Sequence, residues 1–392
     1  MIIKIVFFRL VPPPLIILQW NNLRARPQRL RRSLCEQESA FGMTLKHGII
    51  LKMFDVITIG SATRDAFFEG DFPLVKWPKT ESGKAYLLPF GEKLEVKKVS
   101  FTIGGNAANA SVTFARQGFK TACVAKTGND VSGEEIRRRL KKERVETKFI
   151  ACDSETPTSY SVLLIENGER TILNYHGAGG GLRIQDVNLK NLSARWWYLS
   201  LAGESDAMLK PLLEFADDKS IAIAFNPTGY HIKHKRSEIL SSLGKLSFFV
   251  LNEEEAALLT GISFKNERAV FKKLNELTSG ILAVTDGKNG VTVSDGNLIY
   301  KAGIFKEKKL ADRTGAGDAF GSGFVAGLLR RGLTKKNISS AKPSDICYAI
   351  RLAAANATSV VEKIGATEGT LRRNEFEKDG RWKNLKINII RI

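Results

Sequence analysis

The chain is poor in cysteine and lacks any cysteine motif. Its four cysteines are spread over 392 residues and form no CxxC pair and no Cys/His cluster. A disulfide framework and a zinc site both require closer groupings, so neither is indicated. The simplest setting for such a chain is a reducing one, and we expect a cytoplasmic protein.

Two common phosphate-binding motifs are also missing. The sequence contains no GxxxxGK[ST] loop and no GxGxxG fingerprint followed by an acidic residue. Their absence excludes the usual P-loop nucleotide site and the usual dinucleotide-binding fold.

Long apolar runs are absent as well. A helix that spans a bilayer needs about 20 apolar residues, and the N-terminal apolar stretch is broken by Lys4, Arg9 and three prolines. Residues 1–34 contain no Asp or Glu, a bias of transit peptides that keeps that interpretation open. We favour another one, because Met53 begins a buried-strand pattern. Residues 1–52 are then a dispensable basic extension outside the fold.

Positive charge is in excess, but much of the excess is local. The chain has 60 Lys and Arg against 41 Asp and Glu, and residues 1–52 alone hold nine Lys or Arg against two Glu. A basic balance can indicate a nucleic-acid or anionic membrane partner. Because so much of it lies in the extension, we expect neither.

From Met53 onward, short apolar runs alternate with amphipathic stretches. This alternation predicts an α/β fold in which helices cover both faces of a mostly parallel sheet. Ligands in such folds bind beyond the carboxyl ends of the strands. The expected strands are residues 54–60, 121–128, 195–201, 221–227, 247–252, 280–287 and 297–305, and the expected helices are residues 107–118, 132–144, 207–219, 252–261 and 319–332.

Two segments interrupt this alternation. Residues 66–103 are too long for a simple connection, and residues 158–176 read as a hairpin that turns at Asn167-Gly168. Together they predict a small accessory sheet. Such a sheet can serve as a lid over the crevice or as a dimerisation surface.

The stretch DRTGAGDAFGSGF, residues 312–324, places small residues before a carboxylate at the start of a predicted helix. Free backbone N–H groups and the helix dipole attract anions there, and Gly315, Ala316 and Gly317 let an anion approach closely. Asp318 would repel that anion unless it serves as a base that removes a proton from an attacking hydroxyl. Phosphoryl transfer to an alcohol explains both features.

This stretch also resembles the C-terminal signature of the ribokinase-like (PfkB) carbohydrate kinase family. Residues 104–130, GGNAANASVTFARQGFKTACVAKTGND, are similar to the N-terminal signature of that family. The resemblance covers residue 53 to about residue 375. It implies a ribokinase-like three-layer α/β/α kinase domain at residues 53–380 with a small β lid, followed by a tail at residues 381–392.

The resemblance implies a role for each matching position. Asp318 would be the catalytic base, and the N–H groups of Gly315, Ala316 and Gly317 would hold the charge on the transferred phosphoryl group. The remaining matches fall into an ATP and Mg²⁺ group and an acceptor group. The first comprises Asn252, Glu255, Thr285, Gly287, Gly290 and Asn356, and the second comprises Asp65, Gly104, Gly105 and Asn109.

Several of these positions have ordinary alternatives. Asn252 could be a helix N-cap, and Thr285-Asp286-Gly287 an ordinary turn. Counting back from Gly365 places Ala354 or Ala355, rather than Asn356, where a residue next to adenine is expected. Tyr175 and His176 end the hairpin and could line the acceptor site or simply pack.

A monovalent cation site is implied at the backbone carbonyls of Asp312 and Thr314, completed by carbonyls between Val361 and Ala366. Arg313 lies between the first two, where the family usually has a small or hydroxyl residue. Potassium activation is therefore left open.

The expected activity is ATP-dependent phosphorylation of a small sugar by in-line transfer, in a homodimer formed through the lid. A nucleoside such as adenosine is the alternative acceptor, favoured if aromatic side chains of the lid stack on a base. A basic binding protein on the same scaffold is the alternative from another class, but a binding module needs no base beside an anion site.

Overall fold

Buried strands form the centre of the fold. The structure is a computed structural model that describes residues 53–80, 82–166 and 169–391, so the expectation for residues 1–52 lies outside the described residues. The strands are β1 Phe54–Gly60, β2 Thr63–Glu69, β3 Leu74–Lys76, β4 Lys84–Tyr86, β5 Lys98–Gly104, β6 Thr121–Gly128, β7 Ile150–Asp153, β8 Tyr160–Glu166, β9 Glu169–Tyr175, β10 Ala194–Ser200, β11 Ala222–Phe225, β12 Phe248–Asn252, β13 Ile281–Thr285, β14 Val291–Ser294, β15 Leu298–Ala302 and β16 Ile387–Arg391.

Helices connect most of these strands. They are α1 Asn106–Arg116, α2 Val131–Lys142, α3 Gly177–Gly180, α4 Leu209–Asp218, α5 Gly229–Ser242, α6 Glu253–Thr260, α7 Glu267–Asn275, α8 Ala316–Arg330, α9 Pro343–Val361 and α10 Arg373–Lys378. No helix in the described ranges is long and apolar enough to cross a membrane.

The main sheet joins ten of the described strands in the order β16-β15-β14-β13-β12-β11-β10-β1-β6-β7. Strands from β13 to β7 in this order pair in parallel, and β14, β15 and β16 extend the sheet in antiparallel fashion. This is the mostly parallel sheet that the alternating pattern predicts.

Consecutive residues of the central strands pack into two separate hydrophobic cores, one on each face of the sheet. In β10, Trp196 and Tyr198 pack with α1, α8 and α9, whereas Trp197 and Leu199 pack with α4 to α7. Side chains alternate across a strand, so an unbroken apolar run fits only a sheet that is covered on both faces. The result is a three-layer α/β/α arrangement.

A second sheet, the lid sheet, consists of β5, β2, β8 and β9 in that order. Its strands come from the two segments that interrupt the α/β alternation. One row across it places Thr102, Asp65, Ser161 and Asn174 side by side. Direct neighbours in adjacent strands share a face, so these four polar residues lie on one side of the lid sheet.

The C-terminal tail expected at residues 381–392 is wrong for the described part of that segment. Trp382 is buried against Phe305, with ring centroids 5.2 Å apart. Strand β16 then pairs with β15 along its whole length. Three isoleucines in this five-residue strand, Ile387, Ile389 and Ile390, give it a high β propensity.

Candidate active site

Polar and glycine residues end the central strands along one edge of the main sheet. Gly60, Ser200, Asn252 and Thr285 are the last residues of β1, β10, β12 and β13. Because these strands are parallel, their carboxyl ends share that edge, which is the usual position of a ligand crevice. The predicted site residues gather here.

Helix α8 begins near this edge, and two glycines at its start, Gly315 and Gly317, have different roles. Gly315 has a left-handed backbone, φ 79°, and a Cβ there would lie 2.5 Å from the Cβ of Ala366. The fold therefore requires glycine at position 315. A Cβ on Gly317 would meet no atom within 4 Å, although the residue lines a cavity. Gly317 thus leaves room beside free N–H groups at a helix start, where an anion binds well.

Asp318 lies in the first turn of α8 and is buried. Its Oδ2 accepts a hydrogen bond of 2.9 Å from Nδ2 of Asn109, on α1. The pKa of Asp318 is raised to about 6, mainly by burial and partly by the nearby charge of Asp65, with the Asn109 hydrogen bond acting in the opposite direction. The carboxyl group is thus fixed in place and still ionised at neutral pH, as a general base requires.

Two more carboxyl groups near Asp318 are perturbed in the same direction. Burial raises the pKa of Asp65 to about 6, although hydrogen bonds from Thr63 and Ser161 lower it. Burial also raises the pKa of Glu255 to about 7, with a contribution from the charge of Asp318. Perturbed carboxyl groups gathered in a crevice are typical of an active site.

The glycine pair before α1 allows Asp65 to reach the site. A Cβ on Gly104 would lie 1.9 Å from Oδ2 of Asp65. Gly105 has φ 89°, and a Cβ there would come within 2.7 Å of the Ser61 and Ala62 backbone. Both positions therefore need glycine so that the lid strand and α1 can approach each other.

The lid sheet contributes polar groups that sequence reasoning missed. Ser161 donates to Oδ1 of Asn174 at 3.3 Å and also hydrogen-bonds Asp65. The hydroxyl group of Thr102 is buried and has no hydrogen-bond partner. The alternating pattern of the predicted hairpin could have placed Ser161 and Asn174 on one face, but not that face over the crevice.

Tyr175 lies on the opposite face of the lid sheet from Asp65. It pairs with Tyr160, whereas Asp65 belongs to the row of Ser161 and Asn174. Half of the Tyr175 side chain is exposed. The interpretation of Tyr175 as an acceptor-site residue is therefore wrong.

Unpartnered buried atoms mark the acceptor side of the crevice. Asn109 uses its Nδ2 on Asp318, but its buried Oδ1 has no hydrogen-bond partner. A buried carbonyl oxygen without a donor costs about 1–3 kcal/mol. A ligand hydroxyl group would satisfy Asn109 Oδ1 and leave the fold unchanged.

A cavity of about 340 Å³ adjoins the start of α8. Six predicted residues line it together, namely Asn252, Thr285, Gly287, Gly290, Ala316 and Gly317. The rest of its lining is largely apolar and includes Ile304, Leu310, Ala354, Ala357 and Val361, with Thr358 and Glu307 among its polar members. Such a cavity suits a flat heterocycle at one end and phosphate at the other.

Asn252 and Glu255 form a capping box at the start of α6. Asn252 Oδ1 accepts from the Glu255 N–H at 2.7 Å, and Glu255 Oε2 accepts from the Asn252 N–H at 2.9 Å. The helix N-cap interpretation of Asn252 is therefore correct. Asn252 also lines the cavity, and the charge of Asp318 acts on Glu255, so both residues lie close to the crevice.

Asn356 does not line this cavity, so its predicted ATP contact there is wrong. The side chain is fully buried between α9, α8 and α1. Its Nδ2 donates to the Ala319 carbonyl at 2.9 Å, and its Oδ1 accepts from the Leu371 N–H at 2.9 Å. Ala354, one of the two positions counted back from Gly365, lines the cavity instead.

The segment around the expected cation site is largely satisfied by its own hydrogen bonds. The buried Asp312 carboxylate accepts from the N–H and hydroxyl of Thr314 and from the N–H of Gly365. The Val361 carbonyl accepts from the N–H groups of Ala311 and Asp312. Among the described residues, no group of three His, Cys, Asp or Glu side chains is arranged to hold a metal ion.

Known proteins resemble the chain over most of its length. A family model described as pfkB family carbohydrate kinase matches residues 80–373. The chain is 24% identical to an ATP-dependent 6-phosphofructokinase of Thermoanaerobacterium thermosaccharolyticum, over 73% of this chain and 85% of that protein. It is 25% identical to a nucleoside kinase of Methanothermobacter thermautotrophicus, over 60% of this chain and 74% of that protein.

The fold is likewise similar to solved structures. A ribokinase of Giardia lamblia superposes with a TM-score of 0.69 at 21% identity, covering 83% of this chain and 98% of that one.

Proposed function

The chain belongs to the pfkB family of carbohydrate kinases, and on that premise we propose that it transfers the γ-phosphoryl group of ATP to a hydroxyl group of a free sugar. One observation carries the proposal. Buried Asp318 is held by Asn109 in the first turn of α8, where Gly317 leaves open space, and Asn109 Oδ1 has no donor. A base, an anion site and an unfilled acceptor for a hydroxyl group thus meet in one place.

The nucleotide cavity fits ATP. ATP bound with Mg²⁺ would supply the transferable phosphoryl group and neutralise part of its charge. Gly315, Ala316 and Gly317 would bind the γ-phosphate of ATP through their N–H groups. The remaining phosphates and the ribose would lie along Thr285, Gly287 and Gly290. Asn252 and Glu255 would orient the metal-bound phosphates through the atoms left over from the capping box.

Asp318 would take the proton from the acceptor hydroxyl group as that group attacks. Its pKa of about 6 keeps it ionised at pH 7 while leaving it basic enough to accept the proton. Asn109 would hold the carboxyl group in place and accept a second hydroxyl through Oδ1. Closure of the lid sheet over the crevice would exclude water as a competing acceptor.

A neutral, polyhydroxylated acceptor fits the crevice better than a phosphorylated one. The acceptor side carries the carboxyl groups of Asp65 and Asp318, which repel a phosphate. Nearby cations are already engaged, since Lys126 lies 3.2 Å from Asp153 and 3.4 Å from Asp186. The Arg64 guanidinium donates to the Thr102 carbonyl at 2.9 Å.

A nucleoside stays the alternative acceptor, but the aromatic side chains of the lid give it less support. Phe67 is fully buried against Leu163 and Ile165, so its ring is not open for stacking. Phe72 and Tyr86 pack edge to face with each other, at 5.7 Å between centroids. These aromatic side chains stabilise the lid segment, and the row that carries Asp65 consists of hydroxyl-binding groups.

Potassium does not fit the residues present. The Val361 carbonyl accepts from two N–H groups, and Arg313, between Asp312 and Thr314 in the sequence, adds a positive charge to this segment and lines the cavity beside it. We therefore derive no catalytic step from a monovalent cation.

ADP release tests the proposal directly. The full chain, with ATP and Mg²⁺, is assayed against free pentoses and hexoses, sugar phosphates and nucleosides, with Asp318→Asn as the inactive control. We expect turnover with a free sugar that is lost in the variant. Turnover confined to nucleosides or to sugar phosphates would contradict the acceptor class, and equal turnover of the variant would contradict the base assignment.

A homodimer through the lid is the second part of the proposal. The face of the lid sheet opposite Asp65 exposes Phe101, Leu173 and Tyr175, each by about half. Phe101, Ala66, Val162 and Leu173 form one apolar row across the four strands. An exposed apolar patch on a sheet face is typical of an interface. A second copy, related by a two-fold axis, would cover it with the same residues.

A further inference from the structure

A basic pocket lies at the far end of α1 from the acceptor site. Asn109 is near the start of α1, and Arg116 is its last residue, about 10 Å further along the helix axis. The pocket has a volume of about 510 Å³ and lies between the ends of α1, α2 and α10. It shares none of its lining residues with the nucleotide cavity.

Positive charge dominates this pocket. Six cationic side chains face two carboxylates, an excess of four positive charges, and the cations are Arg116, Lys142, Arg144, Arg372, Arg373 and Lys378.

The two carboxylates, Glu143 and Glu377, each form an ion pair with one of these cations. Arg116 holds Glu143 through two hydrogen bonds of 2.9 and 2.7 Å, and Arg373 holds Glu377 at 3.0 Å. Lys142, Arg144 and Lys378 form no ion pair within 4.0 Å in the described part of the chain. Lys142 attracts Glu143 only from beyond that distance, and Arg116 already holds this carboxylate.

Helix ends explain some of these cations but not Arg144. Cations at the last turn of a helix interact well with its dipole, which accounts for Arg116 and Lys142. Arg144 instead follows the C-cap of α2 in a left-handed conformation, φ 65°. The bonds from Arg144 N–H to the Lys141 carbonyl and from Val145 N–H to the Leu140 carbonyl form a Schellman motif.

That position is normally glycine, because a side chain there costs about 1–2 kcal/mol. The chain therefore carries a strained arginine where a glycine would be more stable, and strain of this kind is concentrated at functional sites. The guanidinium group that results lines the basic pocket.

We propose that this pocket binds a small phosphorylated metabolite with at least two negative charges, at a site separate from the active site. A pocket of about 510 Å³ has room for a small phosphorylated metabolite. Guanidinium groups suit phosphate oxygens because they donate paired hydrogen bonds. Arg144, Lys142 and Lys378 supply the charge that the carboxylates leave uncompensated.

The test measures binding of inorganic pyrophosphate to the full chain by calorimetry at fixed ionic strength. Saturating ADP is present so that the phosphate site at α8 is occupied. Three variants are compared with the parent protein: Arg144→Gly, Arg144→Gln and Ser220→Gly. Ser220 is the matched control, since it has φ 55° at the same position of a Schellman motif that ends α4.

We expect Arg144→Gly and Arg144→Gln to weaken pyrophosphate binding at least tenfold and Ser220→Gly to leave it unchanged. Both glycine variants should also raise the melting temperature, because each relieves a left-handed side chain, whereas Arg144→Gln should not. Equal binding by all four proteins would mean an adventitious ion held by overall charge, and would overturn the proposal. These outcomes do not depend on which acceptor the kinase uses.

Discussion

At the scale of single residues, burial decides when Asp318 can act. Its pKa is raised to about 6, so the carboxylate that we propose as the base becomes protonated as the pH falls through that value. We expect kcat/KM to fall about tenfold per pH unit below pH 6 and to level off above it. A pH–rate profile with a free sugar measures this. A profile that stays flat down to pH 4.5 would contradict the role of Asp318.

The same burial makes Asp318 costly to the fold at neutral pH. Because its pKa is raised from 3.8, the folded state holds more protons than the unfolded state between about pH 4 and 6, and stability falls as the pH rises. Asparagine cannot ionise, so Asp318→Asn should raise the free energy of unfolding at pH 7 by up to about 3 kcal/mol. The gain should vanish at pH 4.

Urea unfolding at both pH values tests this difference. Exposed Asp71 supplies the control, since Asp71→Asn should change stability by less than about 0.5 kcal/mol at either pH. A variant at position 318 that is less stable than the parent at pH 7 would show that the carboxylate stabilises the fold.

At the scale of elements, the start of α8 contains one glycine that the fold requires, Gly315, and one that we expect only the activity to require, Gly317. Gly317→Ala meets no atom within 4 Å and favours a helix, so stability should hold or rise slightly. The added methyl group occupies the anion site, so we expect turnover to fall at least tenfold. Gly315→Ala should instead destabilise the protein, because of Ala366 and the left-handed backbone. Melting curves and ADP-release rates distinguish the two variants.

The polar row of the lid sheet should govern the acceptor alone. Asn174→Ala removes an exposed amide beside Ser161, so we expect the KM for the sugar to rise about three- to tenfold while the KM for ATP is unchanged. Thr171→Ala, on the opposite face of β9, is the matched control. A rise in both KM values for Asn174→Ala would indicate a structural effect on the lid.

Sequence patterns predicted the elements that are specified by neighbouring residues, and they missed those that depend on contacts between distant parts of the chain. Gly105 and Gly315 have left-handed backbones, and these glycines stand in short contiguous motifs, so the sequence alone predicted them. Asn356 was misplaced because a helical segment alone does not show which neighbour it faces. Strand β16 was missed because its partner, β15, lies more than 80 residues away in the chain.

At the scale of the whole molecule, the lid should control the oligomeric state. Leu173→Asp places a charge in the exposed apolar row, so we expect a dimer to become a monomer. Light scattering during gel filtration measures this. Leu258→Asp, at an exposed apolar position of α6, should leave the dimer intact. A parent protein that is already monomeric at micromolar concentration would contradict the dimer.

The hydrogen bond between Asn109 and Asp318 joins residues 209 positions apart. A ribosome adding about 5–20 residues per second needs roughly ten to forty seconds to cover that interval. Throughout that time the emerging chain carries Asn109 without the carboxyl group that it holds in the folded protein. We therefore expect a nascent chain to show no kinase activity until residue 318 has been added and α8 has packed against α1.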